Sequence, residues 1–279
     1  NPNEQKRAAQ SRSITLQETA DLYLQSNKPR AAKTIKGFRD AMRLHLKDWL
    51  ATPLAEITRK MIYERHRRIV KISGPYAANA TMRAFRAAYN RAMRQHEELP
   101  PNPTVNVDWF PEYRRDASIS AEQLAAWHKD IQALPNPMRR DFYLYILFTG
   151  LRRKSAAEIR WEHIDLDKGT LLIPNPKGGT KRTFVLPLSD FLIEVLQRRL
   201  VENKKLTPDS PWVFPADKSK TGHIAEPKLK PAHKANMAVP FSVHGLRHTW
   251  VTAANAAGLS SYDIKMLTNH MLPKGDVSA

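Results

Sequence analysis

Four prolines fall within one short stretch of the chain: Pro100, Pro101, Pro103 and Pro111. Proline lacks the backbone N–H that a helix requires, and its ring clashes with the preceding turn, so a helix does not run through this stretch. A new helix start follows in the sequence SISAE. We therefore predict a domain boundary near Arg114, with a first domain over residues 14–113, a second over residues 114–279, and a linker or disordered end over residues 1–13.

The spacing of apolar residues predicts a mainly α protein with a small β-hairpin or sheet, an α+β fold. In the first domain the apolar residues follow the helical period without strand alternation. Its predicted helices cover residues 15–27, 33–49, 57–72 and 76–98. In the second domain, helices are predicted over residues 118–134, 136–150, 189–204, 227–237, 243–257 and 260–268. A Gly-rich basic turn joins two β-prone runs, residues 170–173 and 183–187, and predicts the hairpin.

Two helices of the first domain carry basic side chains on one face and apolar side chains on the other. The apolar stripe of the second predicted helix contains Ile35, Phe38, Met42 and Leu46. Its basic stripe contains Lys36, Arg39, Arg43 and Lys47. The apolar face of the fourth predicted helix contains Met82, Phe85, Tyr89 and Met93. Its basic stripe contains Arg83, Arg86, Arg91 and Arg94.

These basic stripes have two interpretations. Soluble helices often turn Lys and Arg outward for solubility alone. Two stripes nearly free of acidic partners favour contact with a DNA backbone, which is mostly independent of sequence and sensitive to salt. The net charge of +18, divided equally between residues 1–113 and the remainder, also indicates a polyanionic partner.

Composition and missing motifs exclude several other classes of protein. No apolar run approaches the ~20 residues of a membrane span, and no signal peptide pattern opens the sequence. The chain has no Cys, which excludes disulfides, thiolate zinc sites and cysteine nucleophiles. GGTK at 178–181 lacks the spacing of a Walker loop, and no HExxH motif or carboxylate cluster indicates a metal. We therefore expect neither a metal nor a cofactor.

Two distant segments concentrate cationic and imidazole side chains. The segment SVHGLRHTW contains His244, Arg247 and His248, and the segment FTGLRRKS contains Arg152. Guanidinium and imidazole groups can bind single phosphate oxygens through directed hydrogen bonds, which predicts phosphoryl transfer on a nucleic acid. The ordinary alternative for each segment is a solvated helix face, since His and Arg three residues apart share one side of a helix. For His248 we expect packing or bonding within its own helix.

The order of these segments resembles that of the tyrosine recombinase (phage integrase) family. TGLR at 149–152, HGLRHT at 244–249 and MLTNH at 266–270 are similar to the three boxes of the family. The resemblance implies that Arg152 is a ligand of the scissile phosphate, that His244 and Arg247 belong to the same site, and that His270 is its fifth contact. It implies an active-site lysine in the hairpin sequence PKGGTKRTF, for which Lys177 is the best match and Lys181 the alternative. It also implies a helical core-binding domain followed by a catalytic domain.

Each implied site residue has a simpler interpretation. Lys177 in a Gly-Gly turn is often only solvated, and His270 could cap a helix. Two positions depart from the family pattern: Ser155 stands where an acidic residue is frequent, and Asn269 where a glycine is usual. Because Ser155 replaces the acidic residue, we expect the support of the first-box arginine or of a neighbouring helix to be rearranged.

The resemblance implies a site-specific DNA recombinase, or integrase, that integrates or excises a mobile element. Such an enzyme cuts and rejoins duplex DNA through a 3′-phosphotyrosyl intermediate, which conserves the bond energy without ATP or metal. The family's tyrosine follows the third box, whereas Tyr262 precedes His270. We therefore expect the nucleophilic tyrosine beyond Ala279, and we expect the printed chain alone to bind DNA without cleaving it.

The expected partners follow from the same resemblance. They are double-stranded DNA, three further copies of the chain in a homotetramer on synapsed DNA, and accessory DNA-bending proteins, with no membrane. The expected location is the cytoplasm of a bacterial host. Two alternatives stay open: a type IB topoisomerase-like nicking and rejoining enzyme, and a non-catalytic DNA-binding regulator on the same fold.

Overall fold

The computed structural model describes residues 13–113, 118–225, 229 and 231–270. The chain divides into two compact units, residues 1–114 and 115–279. Several predictions fall outside the described residues: most of the linker or disordered end, Arg114 at the predicted boundary, the start of the helix predicted from residue 227, and the tyrosine expected beyond Ala279.

Within its described residues the first unit contains four α-helices. These are α1 (Leu16–Leu24), α2 (Ala32–His45), α3 (Arg59–Ser73) and α4 (Pro75–Ala92). Short 3-10 helices cover Lys47–Trp49, Leu54–Glu56 and Pro103–Asn106. The helix predicted over residues 76–98 ends at Ala92, because the following chain turns back and the Tyr89 hydroxyl donates to the carbonyl of Pro100 at 2.9 Å.

Helix α4 forms the centre of the first unit and packs against α1, α2 and α3. Met82, Phe85 and Tyr89 are buried, as the apolar pattern predicts. Met93 is 37% exposed, so its assignment to the buried face was wrong. Because α4 ends at Ala92, Met93 lies beyond the helical period, and Ala92 occupies the buried position.

The second unit combines helices with a three-stranded antiparallel sheet of order β1-β2-β3, so the predicted mainly α fold with a small sheet is confirmed. The helices are α5 (Ala121–Gln132), α6 (Pro137–Thr149), α7 (Arg153–Ala157), α8 (Asp190–Leu206), α9 (Pro231–Ala235), α10 (Val243–Ala256) and α11 (Ser261–Leu267). The strands are β1 (Ile164–Asp165), β2 (Thr170–Ile173) and β3 (Phe184–Pro187). Among the described residues, no helix is both long and apolar enough for a membrane span.

Helix α6 is the buried centre of the second unit. Asn136 caps its start by accepting from the backbone N–H of Arg139, and Gly150 ends it in the left-handed conformation with φ 61°. A Cβ at this glycine would lie 2.8 Å from Cδ2 of Trp250 in α10, so both the backbone and the packing require glycine. The predicted helix stop is confirmed, and it delivers Arg152 to the start of α7.

One charged residue of α6 is fully buried. The Asp141 carboxylate accepts from Arg198 at 2.7 Å and from Arg199 at 3.1 Å, and both arginines belong to α8. Removing either charge from a buried pair leaves the other uncompensated, so the pair couples the two helices.

Candidate active site

Arg247 is the most deeply buried of the predicted site residues, with 4% of its surface exposed. It lies in α10, whose start is capped by the Ser242 hydroxyl. Its Nη1 donates to the carbonyl of Gly150 at 2.5 Å, and its Nη2 donates to the carbonyl of Thr268 at 2.8 Å. The guanidinium therefore joins the end of α6 to the segment after α11.

His270 is a further hydrogen-bond partner of Arg247. Nη2 of Arg247 lies 3.2 Å from Nε2 of His270, and Nδ1 of the same ring lies 3.0 Å from the Thr268 hydroxyl. That hydroxyl donates to the carbonyl of Ile264, so it accepts from Nδ1–H. Because an arginine only donates, His270 is a neutral imidazole whose Nε2 accepts. Among the described residues, Nε and one proton of Nη1 of Arg247 have no acceptor.

Arg152 occupies the N-cap position of α7 and is half-buried. Its guanidinium makes no hydrogen bond to another residue of the described part of the chain, so its donors are open to a ligand. Partial burial lowers its pKa, and the positive charge of Arg182 lowers it further. Burial, the larger cause, and the positive charge of Arg152 together lower the pKa of Arg247 to about 10. Both arginines stay charged at neutral pH.

The two histidines of the second box lie one helical turn apart in α10. The ring centroids of His244 and His248 are 4.7 Å apart in an edge-to-face arrangement. His248 therefore contacts a neighbour in its own helix, as the sequence predicts. Partial desolvation lowers the pKa of His244, followed by the charges of His248, Arg247 and Arg152. The pKa of His270 is lowered by desolvation and then by Arg247, Arg152, Arg182 and His248.

The two lysine candidates make no hydrogen bond to this cluster within the described residues. Lys177 and Lys181 are both exposed in the connection between β2 and β3, and no hydrogen bond within the described residues joins either to the histidines or arginines. The same connection instead brings Arg182 to the site, where it pairs with Asn269. Sequence reasoning missed Arg182, although it lies in the basic hairpin that was singled out.

The structure changes the interpretation of the two basic stripes in the first unit. Lys36, Arg39, Arg43 and Lys47 are all exposed, but Asp40 lies between them and pairs with Lys36 at 2.5 Å. In α4, Arg83 pairs with Glu112 from outside the helix. The expectation that both stripes are nearly free of acidic partners was therefore wrong. Sequence spacing missed Glu112 because the chain returns to α4 only after folding.

The other arginines of the α4 stripe also differ in their exposure and in their position relative to the helix. Arg86 is exposed, whereas Arg91 is half-buried and its Nε has no hydrogen-bond partner among the described residues. Arg94 lies in the turn after α4 because the helix ends at Ala92. With Lys28 and Arg30, Arg91 and Arg94 line a cavity of about 960 Å³ in the first unit.

The boxes around Arg152, Arg247 and His270 lie within one segment that matches a known family. The sequence model of the phage integrase family covers residues 118–273, more than half of the chain. The chain belongs to the phage integrase family. Its matched segment contains the three boxes in the family's order and the described part of the second unit's fold up to His270.

Relatives in the phage integrase family span greater lengths than the matched segment. Prophage integrase IntF of Escherichia coli is 26% identical over 161 residues, which cover 56% of this chain and 33% of that protein. Tyrosine recombinase XerA of Pyrococcus furiosus is 27% identical over 148 residues, which cover 51% of this chain and 50% of that protein. The matches thus span between a third and a half of these relatives.

Solved integrase structures share the fold. The Tn1549 transposon integrase in complex with a circular intermediate DNA aligns with a TM-score of 0.74 at 16% identity, covering 93% of this chain and 92% of that chain. A lambda integrase tetramer bound to a Holliday junction aligns with a TM-score of 0.71 at 16% identity, covering 97% and 81%. The mainly helical integrase fold is therefore shared, although the sequences have diverged widely.

The electrostatic coupling within the site can be tested by histidine titration. Arg152→Ala should raise the pKa of both His244 and His270, because it removes a positive charge that opposes protonation of each ring. Arg152→Lys keeps the charge and should change both values less. Side-chain NMR titration measures the midpoints, with His163 as an internal control, since its pKa is lowered by partial burial and by Arg160 instead. Unchanged midpoints for both site histidines would contradict the proximity of Arg152.

Proposed function

We propose that this chain contains the DNA-binding and catalytic parts of a site-specific DNA recombinase that integrates or excises a mobile element. One observation carries the proposal: the end of α6 and the segment ending at His270 both contact Arg247. Arg152 is close enough to lower the pKa of Arg247, and its guanidinium has no acceptor among the described residues. The phage integrase match over the same residues supports it.

The cluster suits displacement at a phosphodiester. Such a reaction increases the negative charge on the two non-bridging oxygens, and preorganised guanidinium groups stabilise that charge most when water is excluded. Arg152 offers unused donors, and Arg247 offers Nε and one Nη1 proton. Their roles are to bind the scissile phosphate and to stabilise its transition state.

The two predicted histidines have different roles in this proposal. His270 is neutral and its Nε2 is a proton acceptor, so it holds Arg247 in the resting site and can take the proton of an attacking hydroxyl. His244 makes no side-chain hydrogen bond within the described residues and can donate to a phosphate oxygen. A lowered pKa keeps both rings neutral at physiological pH.

The general acid and the nucleophile of the proposed reaction come from outside this cluster. Lys177, or alternatively Lys181, protonates the leaving 5′ oxygen from the exposed β2–β3 connection. The nucleophile is the tyrosine expected beyond Ala279, and its hydroxyl attacks phosphorus to give the 3′-phosphotyrosyl linkage. Tyr262 lies on the surface of α11 and precedes His270.

The remaining parts of the proposal concern partners. The first unit is the core-binding domain that grips duplex DNA. Four copies act on two synapsed sites, as a tetramer of lambda integrase is bound to a Holliday junction. Accessory DNA-bending proteins assist, and the reaction takes place in the cytoplasm of a bacterial host.

Loss of either site arginine should separate cleavage from binding. In the full-length gene product, Arg152→Ala or Arg247→Ala should reduce covalent adduct formation on a nicked suicide duplex by roughly 10²-fold or more, while duplex affinity changes only several-fold. Lys154→Ala is the matched control, since this exposed cation two residues from Arg152 pairs with Glu158. Absence of any adduct from DNA-bound wild type would refute the recombinase and topoisomerase alternatives together. Strand transfer between two sites separates those two.

The general acid can be identified through the leaving group. A 5′-bridging sulfur leaves without protonation, so the defect of Lys177→Ala should shrink on a phosphorothiolate duplex relative to the normal duplex. Lys181→Ala is measured in parallel. If the Lys177→Ala defect is equally large on both substrates, the general acid is Lys181 or another group.

The basic stripes can be tested at residues without an ion pair in the described structure. Replacing Arg39 and Arg86 with Ala should weaken binding to specific and scrambled duplexes alike and reduce the salt slope by about 1 to 2. Loss of a guanine contact would instead relax preference at one base pair by ~1–3 kcal/mol. Lys60→Ala, outside both stripes, is the control. Equal affinity of the double variant and wild type on both duplexes would mean that the stripes are only solvated.

A further inference from the structure

Arg182 and Asn269, neither of which was among the predicted site residues, join two segments of the site. Arg182 ends the 3-10 helix Thr180–Arg182 in the β2–β3 connection, and Asn269 immediately precedes His270. Nη2 of Arg182 donates to the Asn269 backbone carbonyl at 3.1 Å and to its Oδ1 at 2.7 Å. Nδ2 of Asn269 donates back to the carbonyl of Arg182 at 2.8 Å. Each residue donates to the other, so the pair fixes the orientation of both side chains and the distance between the β2–β3 connection and the turn at Asn269.

The backbone at Asn269 explains why asparagine stands here. Its φ is 48°, in the left-handed region that glycine adopts freely and that asparagine tolerates better than most other residues. Glycine, which is usual at this position in the family pattern, would fit the turn but could not bond to Arg182. Asn269 therefore satisfies the turn and supplies the amide that holds the arginine.

Gly178 shapes the other side of Arg182. A Cβ at Gly178 would lie 2.6 Å from Cδ of Arg182, and the glycine φ of 115° is itself unfavourable for a side chain. The connection between β2 and β3 thus packs its own backbone against the stem of Arg182. The arginine is held at its stem by Gly178 and at its head by Asn269.

The head of Arg182 carries an uncompensated charge. Its hydrogen-bond acceptors in the described structure are a carbonyl and a neutral amide, both bound through Nη2. Nε and Nη1 have no acceptor among the described residues. Arg182 is close enough to lower the pKa of Arg152 and of His270, so like charges gather where no described carboxylate faces them. An anion between these groups would relieve their repulsion.

We propose that Arg182 is a third arginine contact to the scissile phosphate, held in place by Asn269. This assignment rests on the proposed function. It also gives Asn269 a positioning role, because the pair ties the connection that carries Lys177 to the turn that carries His270. The same connection carries both candidate lysines, Lys177 and Lys181.

A neutral substrate distinguishes a phosphate contact from a structural role. In the full-length gene product, Arg182→Ala should reduce adduct formation on a normal phosphodiester by roughly 10²-fold, the scale for losing one preorganised donor to a developing charge. On a methylphosphonate at the scissile position, tested as each diastereomer, the phosphorus centre lacks its negative charge. The defect relative to wild type should therefore shrink for at least one diastereomer. Arg182→Lys, which keeps the charge, should fall between wild type and Arg182→Ala.

Asn269→Gly tests the positioning role without disturbing the turn. It keeps a residue that adopts the left-handed backbone and removes both side-chain bonds to Arg182, so adduct formation should fall roughly tenfold on the phosphodiester. In combination with Arg182→Ala it should add little further loss, because both changes remove the same contact. Lys168→Ala, an exposed cation of the β1–β2 turn paired with Asp165, should match wild type.

The outcomes separate this assignment from the proposed function. If wild type forms adducts and Arg182→Ala is equally defective on charged and neutral substrates, Arg182 is structural and the recombinase proposal stands. If wild type forms no adduct, the recombinase proposal fails. Inorganic phosphate then provides the test: it should perturb the His270 side-chain NMR signals in wild type and do so only at several-fold higher concentration in Arg182→Ala. Identical phosphate titrations would overturn the anion site as well.

Discussion

The hydrogen bonds of one buried guanidinium hold the candidate site together. Arg247 donates to the carbonyl of Gly150 at the end of α6 and to the carbonyl of Thr268 after α11, and it contacts His270. These acceptors come from segments that are distant in sequence. Gly150 supplies one of these carbonyls, and its left-handed backbone ends α6 beside Trp250. The end of one helix and the turn after another therefore meet on a single side chain of α10.

Arg247 donates to two carbonyl groups, and its positive charge has no carboxylate partner among the described residues. The other groups that shift pKa values in this cluster are arginines and histidines, so the described site concentrates positive charge. Carboxylates are available elsewhere in the same unit, since Asp141 pairs with two arginines of α8. A buried charge is costly when it is unpaired, so folding stability alone would favour a carboxylate partner for Arg247. The unpaired arrangement is better suited to an anionic ligand, whose binding offsets the repulsion that folding leaves in place.

In the first unit, helical spacing predicted the buried face of α4 but not the ion pairing on its charged face. The period correctly placed Met82, Phe85 and Tyr89 inside, because the buried face of a helix depends on spacing within one segment. It did not reveal that Arg83 is paired with Glu112, which returns to α4 from a later part of the chain. Helical spacing therefore predicts where a charged face lies, whereas the number of unpaired charges on it depends on tertiary neighbours.

The sequence by itself determined the helical character of both units, the hairpin at β2 and β3, the glycine stop after α6 and the order of the three boxes. Each of these follows from local rules of period, capping or turn formation, which need no distant contact. Tertiary structure alone decided that His270 accepts from Arg247 and that Arg182 reaches Asn269. These features join residues far apart in the chain. No local rule specifies them, because they depend on where separate helix ends and turns meet in the folded unit.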